Sequence, residues 1–216
     1  MEPHIQIDAT NYSFEDFVEL HFNHEFAQSV NQEWYWNSDL IFAPTQFCAY
    51  HIRLFHEPEI LFSRFSKAQL EGGFWGMISG VDWSLRTLLW ELDIPFSQRK
   101  ESVRAMVDPF RRFFAVEPLD TSCHMWWDAL CYDWHSENRV RERGGEDLQM
   151  QDVMFETLSS ILYLDAAQCQ AAALHGLGHL HHPETHLLIN KYIDDHPSLT
   201  HEQREYALAA TKFQVL

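Results

Sequence analysis

Small side chains recur at helical spacing near the end of this chain, and this pattern constrains the fold more than any other. Between Cys169 and Leu180 the apolar positions form one unbroken helical stripe. Most of its side chains are small, so the backbone of a second helix can approach this face closely. The stripe lies at Cys169, Ala172, Ala173, Gly176, Leu177 and Leu180.

Helix-start signals flank this stripe. Residues 165–168 (DAAQ) have the form of a capping box with Asp165 as the cap, and residues 200–203 (THEQ) have the same form 35 residues later. Between them, Pro183 is well placed at the first position of another helix. The sequence therefore predicts three successive helices in this region.

Residues 150–216 resemble HEAT-like (armadillo-type) helical repeats, in which an A-helix, a turn and a B-helix form one unit. The resemblance is carried by residues 173–178 (ALHGLG), residues 182–184 (HPE) and the amphipathic helix that follows. It implies stacked antiparallel helix pairs, forming a short α-solenoid that is HEAT-like at its C-terminus. Because repeats cannot bury their faces alone, the upstream helices must pack on this end.

Helical periodicity also dominates upstream, and we predict one all-α domain over residues 1–216 with an internal boundary near residues 136–145. Ser13 and Ser66 are placed to cap helices. Residues 97–114 form an amphipathic pattern that Pro109 should kink or split. No β-hairpin signal appears, although residues 30–58 leave loop, short helix and extended structure open.

The formal net charge of −17 favours a basic partner. It opposes binding to nucleic acid or anionic membranes, which carry negative charge themselves. The leading interpretation is a non-enzymatic protein-interaction module without a cofactor, for example an immunity or inhibitor protein that masks a basic protein. The first candidates for its acidic surface are Glu15, Asp16, Glu19 and Glu25.

The alternative interpretation is a metal-dependent enzyme on the HEAT-like scaffold. His175 and His179 lie one helical turn apart, so they can present two imidazoles to one metal ion. They fall opposite the small-residue stripe, which places them in solvent or between repeats. Position 176 is glycine, so the HExxH pattern of zinc proteases is absent.

His-Glu pairs at positions 24–25, 56–57 and 201–202 extend the metal hypothesis. HEAT-repeat iron hydroxylases similar to deoxyhypusine hydroxylase hold iron with such pairs. Only His201-Glu202 stands in a repeat-like context here. The candidate ligands for zinc or iron are therefore His175 and His179, from their spacing, and His201 and Glu202, from the resemblance. HEAT-like chromophore lyases are a third class with similar repeats.

Other functional classes lack their sequence signals. The chain contains no GxSxG, GxGxxG or P-loop motif. The four cysteines form no CxxC pair, which predicts reduced and mostly buried thiols. The first residues do not resemble a signal peptide and no apolar run is long enough to span a membrane, so we expect a cytoplasmic protein.

Overall fold

The computed structural model describes residues 5–24, 34–79 and 82–215, and these residues are mostly helical. The predicted all-α class is therefore confirmed at the level of helix content. No helix among the described residues is long and apolar enough to cross a membrane. The elements are β1 (Ile5–Asp8), α1 (Phe14–Phe22), β2 (Ser38–Ile41), α2 (Pro44–His56), α3 (Lys67–Ile78), α4 (Leu85–Leu88), α5 (Phe96–Ala105), α6 (Val107–Pro109), α7 (Ser122–His135), α8 (Gly145–Leu162), α9 (Ala167–Leu180), α10 (Thr185–Asp195) and α11 (His201–Ala210).

The sequence did not predict β1, and for the region of β2 it left extended structure open as one of three alternatives. β1 and β2 pair in parallel, with Ile5 opposite Ser38 and Asp8 opposite Ile41. The strands have four residues each and no regular alternation of buried and exposed side chains. A hairpin search cannot find them, because parallel strands are joined by a crossover and not by a tight turn.

Three of the predicted helix caps form. Ser13, Ser66 and Thr200 each accept a hydrogen bond from the third residue of the helix, whose side chain returns a bond to the cap. The cap at Asp165 was predicted wrongly: α9 begins one residue later, with Ala166 at the cap position and no side-chain hydrogen bond. The spacing between two capping boxes therefore no longer supports a repeat.

The predicted break at Pro109 is confirmed. The segment divides into α5, α6 and one wide turn over residues 110–114, where the amide of Ala115 donates to the carbonyl of Phe110 at 3.1 Å. Pro109 has no N–H to donate, which interrupts the regular helical bonding.

Aromatic side chains fill the core. Buried apolar residues from before and after residues 136–145 belong to one contiguous cluster. All four cysteines are buried and free, as predicted. The largest fully buried side chains include Trp83, Trp126 and Trp127, together with Tyr35 and Tyr192.

The packing of α7 on α9 is the helix contact that positions the candidate site. A Cβ added to Gly176 on α9 would lie 2.4 Å from the Cβ of Trp127 on α7. Only glycine allows this approach, so the small-residue face predicted for α9 brings a backbone close, as expected. The neighbours of these two residues, Asp128 and His175, therefore meet across the interface.

Candidate metal centre

Three side chains with metal-binding atoms converge where α7 meets α9. Asp128 lies on α7, while His175 and His179 lie one turn apart on α9. The Oδ1 atom of Asp128 is 3.1 Å from Nε2 of His179 and 3.9 Å from Nε2 of His175. One ligand atom from each residue lies within 4.8 Å of the other two, so one ion could contact all three.

Both histidines of the candidate centre are buried. His175 is 2% exposed and His179 is 6% exposed, whereas Asp128 is about one-third exposed. Of the two positions expected for them, in solvent or between repeats, their burial excludes solvent, because α7 packs on α9 at Gly176 and brings Asp128 against both histidines. The site is therefore closed on the histidine side and more open at the carboxylate.

The buried Nε2 atom of His175 has no hydrogen-bond partner among the residues that the structure describes. Leaving a buried polar atom unpaired costs free energy, and such an atom calls for an explanation such as an ion or a water molecule. Burial, followed by repulsion from His179 and His124, lowers the pKa of His175 from 6.5 to about 4. The imidazole is therefore neutral at physiological pH and keeps a nitrogen lone pair for a metal.

The Nδ1 atoms of His175 and His179 each lie within hydrogen-bond distance of a neighbouring side chain. Nδ1 of His175 lies 2.7 Å from the hydroxyl of Tyr206 on α11. Nδ1 of His179 lies 3.2 Å from Nδ1 of His135 at the end of α7. Partners at the far nitrogen fix the orientation of the ring, which is the common arrangement around metal-bound histidines.

His179 lies between a carboxylate and a second histidine. Its Nε2 atom is 3.1 Å from Oδ1 of Asp128, within ion-pair distance. Its Nδ1 atom faces Nδ1 of His135, and the tautomers of the two rings decide which nitrogen donates. Burial lowers the pKa of His179, and Asp128 partly opposes that change.

Two further histidines border the three ligand residues. The ring of His124 on α7 lies 4.6 Å from that of His175, between centroids. His181, which ends α9 in a left-handed conformation with φ of 56°, lies 5.6 Å from His135. Burial also lowers the pKa of His181. We call the set His124, His135, His175, His179 and His181 the histidine cluster.

A cavity of about 290 Å³ adjoins the centre. His124 and Tyr206 both line it, and both contact His175. The cavity therefore reaches residues next to the candidate ligands, so a molecule held there would lie near the metal. Its position beside the centre makes it a candidate substrate pocket.

Of the residues predicted as metal ligands, the structure brings His175 and His179 together. His201 is 86% exposed and pairs with Glu205 at 3.2 Å. Glu202 lines the cavity but does not join the three ligand residues. Among the described residues, His201 and Glu202 therefore do not join the group that contains His175 and His179.

The other His-Glu pairs do not form a metal group among the described residues. Nε2 of His24 lies 2.7 Å from the carbonyl of Leu20, and His56 pairs with Asp108 at 2.8 Å. Glu25 lies outside the described residues. Local partners thus occupy both of these histidines.

The predicted acidic surface residues are partly engaged with neighbours. Arg64 forms ion pairs with Glu15 and Glu19. Asp16 accepts from the amide of Ser13, and these bonds hold the pKa of Asp16 below its usual range. Glu25 lies outside the described residues.

Asp128 was not predicted as a metal ligand from the sequence. It follows the adjacent tryptophans of an aromatic helix, a context that suggests core. A signal was nevertheless present, because His124 and Asp128 stand one helical turn apart, as His175 and His179 do. Two helices with such pairs can form a four-residue site when they pack face to face.

We found no match to this chain among protein-family models, curated proteins or solved structures.

Proposed function

We propose that this protein is a metal-dependent enzyme with a mononuclear centre at Asp128, His175 and His179. The observation that carries the proposal is the convergence of the three ligand atoms around a buried and unpaired Nε2 atom of His175. Two imidazoles and one carboxylate form the ligand set of many catalytic centres, because three protein ligands leave a coordination position open.

Zinc is the proposed metal. Neutral imidazoles and a carboxylate suit both zinc and iron(II), and zinc ranks above iron(II) in affinity for nitrogen and oxygen ligands. The lowered pKa values of His175 and His179 support binding at neutral pH, because metal and proton compete for the same nitrogen.

Hydrolysis is the proposed reaction class. A zinc ion with an open position lowers the pKa of bound water to near neutrality. His124 lines the cavity and contacts the ring of His175, which places it to accept a proton from a water molecule at the centre. Tyr206 and His135 orient the two ligand rings from behind.

Metal analysis of the purified protein tests the centre. After incubation with zinc and dialysis, we expect about one bound zinc per chain, as in other mononuclear sites. His179→Ala and Asp128→Asn should lose this zinc, with circular dichroism showing that both variants fold.

His201→Ala is the matched control, since its side chain is exposed and lies outside the ligand group. It should retain zinc. If His179→Ala retained zinc as well as the control does, the centre would be ruled out. Bound iron in place of zinc would contradict the hydrolytic assignment.

The predicted interaction with a basic protein is a second proposal, favoured by the net charge of −17. Electrostatic steering would make such binding faster at low salt. A positively charged protein such as lysozyme should bind at low ionic strength and be released by salt. Lack of binding at low ionic strength would count against this proposal.

We also propose that α8 to α11 form the HEAT-like unit expected from the sequence, within a cytoplasmic protein. Contacts of α9 with α8 and α11, and of α10 with α11, support this arrangement. An experimental structure in which these helices fail to stack as antiparallel pairs would contradict it.

A further inference from the structure

The cavity beside the histidine cluster has a wall that is mostly apolar. Four aliphatic side chains from α9 and the segment before α11 contribute to it: Ala167, Ala171, Leu174 and Leu199. The remaining lining residues are His124, Gln170, Tyr192, Glu202, Gln203 and Tyr206. A volume of about 290 Å³ accommodates a single aromatic ring with a short chain, and apolar walls favour such a body.

Several polar groups of the wall already have partners. The hydroxyl of Tyr192 donates to Gln170 at 3.1 Å, and the hydroxyl of Tyr206 bonds to His175. The side-chain oxygen of Gln203 accepts from the amide of Thr200 at 3.0 Å. These groups are therefore less available to a ligand, and recognition depends more on the lining groups that have no such bond.

Among the remaining groups, the carboxylate of Glu202 carries a formal charge. It is exposed, and the described residues provide no ion pair for it, since His201 beside it pairs with Glu205. No lysine or arginine is among the described residues that line the cavity. The Thr200 side chain already accepts from one of the free amides at the start of α11.

The lining residues of the cavity therefore differ in charge and exposure. Glu202 is an exposed negative charge, whereas half-buried His124 and Tyr206 lie beside the candidate metal ligands. A molecule in the cavity could pair a cationic group with Glu202 and pack its apolar part on Ala171 and Leu174. It would then lie next to residues that contact the centre.

We infer that this cavity binds a small amine: a protonated amino group on an apolar body about the size of one aromatic ring. The inference rests on the proposed metal centre for its catalytic meaning, since it makes an amine-bearing molecule the substrate or product of that centre. An anionic molecule is disfavoured by Glu202 and by the protein's overall negative charge.

Three probes of nearly equal size test the inference on metal-free protein: benzylamine, benzyl alcohol and benzoate. Titration followed by protein-observed NMR should show saturable binding of benzylamine, about tenfold tighter than that of benzyl alcohol, as expected for one partly exposed charge pair. Benzoate should not bind. Shifted resonances should map to α9 and α11.

Matched variants assign the selectivity. Glu202→Gln should remove the tenfold preference for benzylamine, whereas Glu205→Gln, one turn along the same helix and outside the cavity, should keep it. Ala171→Phe should fill the cavity and abolish binding of both neutral and cationic probes. Its circular dichroism spectrum should match that of the unaltered protein.

Two results would overturn the inference: no saturable binding of benzylamine, or equal binding of benzylamine and benzoate. Zinc analysis of the same preparations separates the two proposals. If the protein binds zinc but not benzylamine, the metal centre stands and the amine site is refuted. If it binds benzylamine but not zinc, the amine site stands and the proposed metal-dependent enzyme is refuted.

Discussion

Gly176 lies directly against Trp127, and no larger residue fits between them. A Cβ at position 176 would come within 2.4 Å of the Cβ of Trp127 and 2.9 Å of a methyl group of Leu158. Distances below about 3 Å force backbone or side chains apart, since protein interiors are close-packed. The contact sets the separation of α7 and α9, on which the three ligand residues depend.

Gly176→Ala should therefore destabilise the protein by about 1–3 kcal/mol, the usual cost of overpacking, despite the higher helix propensity of alanine. It should also weaken zinc binding. Urea unfolding measures the change in stability. Ala171→Gly on the same helix is the control: it removes a methyl group and should cost only about 1 kcal/mol from propensity. A neutral or stabilising Gly176→Ala would contradict the close approach.

Tyr206→Phe should weaken zinc binding by about tenfold to a hundredfold, because it removes the hydroxyl at Nδ1 of His175. Isothermal titration with zinc measures the affinity. Tyr192→Phe is the matched control, since this tyrosine also lines the cavity but its hydroxyl bonds to Gln170. Equal affinities for the two variants would show that Tyr206 does not orient a ligand.

Thr200→Ala should cost about 1 kcal/mol of stability, since it removes a side chain that accepts from the amide of Gln203. Asp165→Ala should cost much less, because Asp165 does not cap α9. Thermal unfolding of both variants compares the two positions. A larger loss for Asp165→Ala would mean that α9 begins at the residue expected from the sequence.

His51 should make stability depend on pH. It is fully buried, its Nδ1–H donates to the carbonyl of Phe47 at 3.0 Å, and burial lowers its pKa from 6.5 to about 4. Below pH 6.5 the unfolded chain takes up a proton that the folded chain refuses until about pH 4. Stability should therefore be complete above pH 6.5 and fall by at most roughly 3 kcal/mol down to pH 4.

Urea unfolding near pH 7.5 and near pH 4.5 measures this loss. His51→Phe should reduce the difference between the two conditions, while His201→Phe, at an exposed position, should leave it unchanged. His21, also buried and with its pKa lowered by burial, will retain part of the pH dependence. An unaltered pH profile in His51→Phe would refute the assignment.

Local signals in the sequence predicted most of the helices but not how they meet. The caps at Ser13, Ser66 and Thr200 depend on residues three positions apart, so sequence alone can recognise them. The parallel pairing of β1 with β2 depends on residues far apart in the chain. The periodicity of side chains within one segment does not indicate which distant segment it pairs with.

The same distinction applies to the candidate centre: spacing within one helix is visible in the sequence, and contacts between helices are not. His175 and His179 were recognisable because their spacing is that of one helical turn. Asp128 was not, since it joins them only when α7 packs on α9. The exclusion of His201 is equally a matter of packing, as α11 turns Tyr206 and not His201 toward His175.

The facing Nδ1 atoms of His135 and His179 make one hydrogen bond a reporter of the centre's state. Two neutral imidazoles allow either Nδ1 atom to be the donor in this bond. An ion at Nε2 of His179 would leave the ring hydrogen on Nδ1, so His179 would donate and His135 would accept. The ion would thus fix the direction of the bond and the tautomer of exposed His135, which stays outside the coordination sphere.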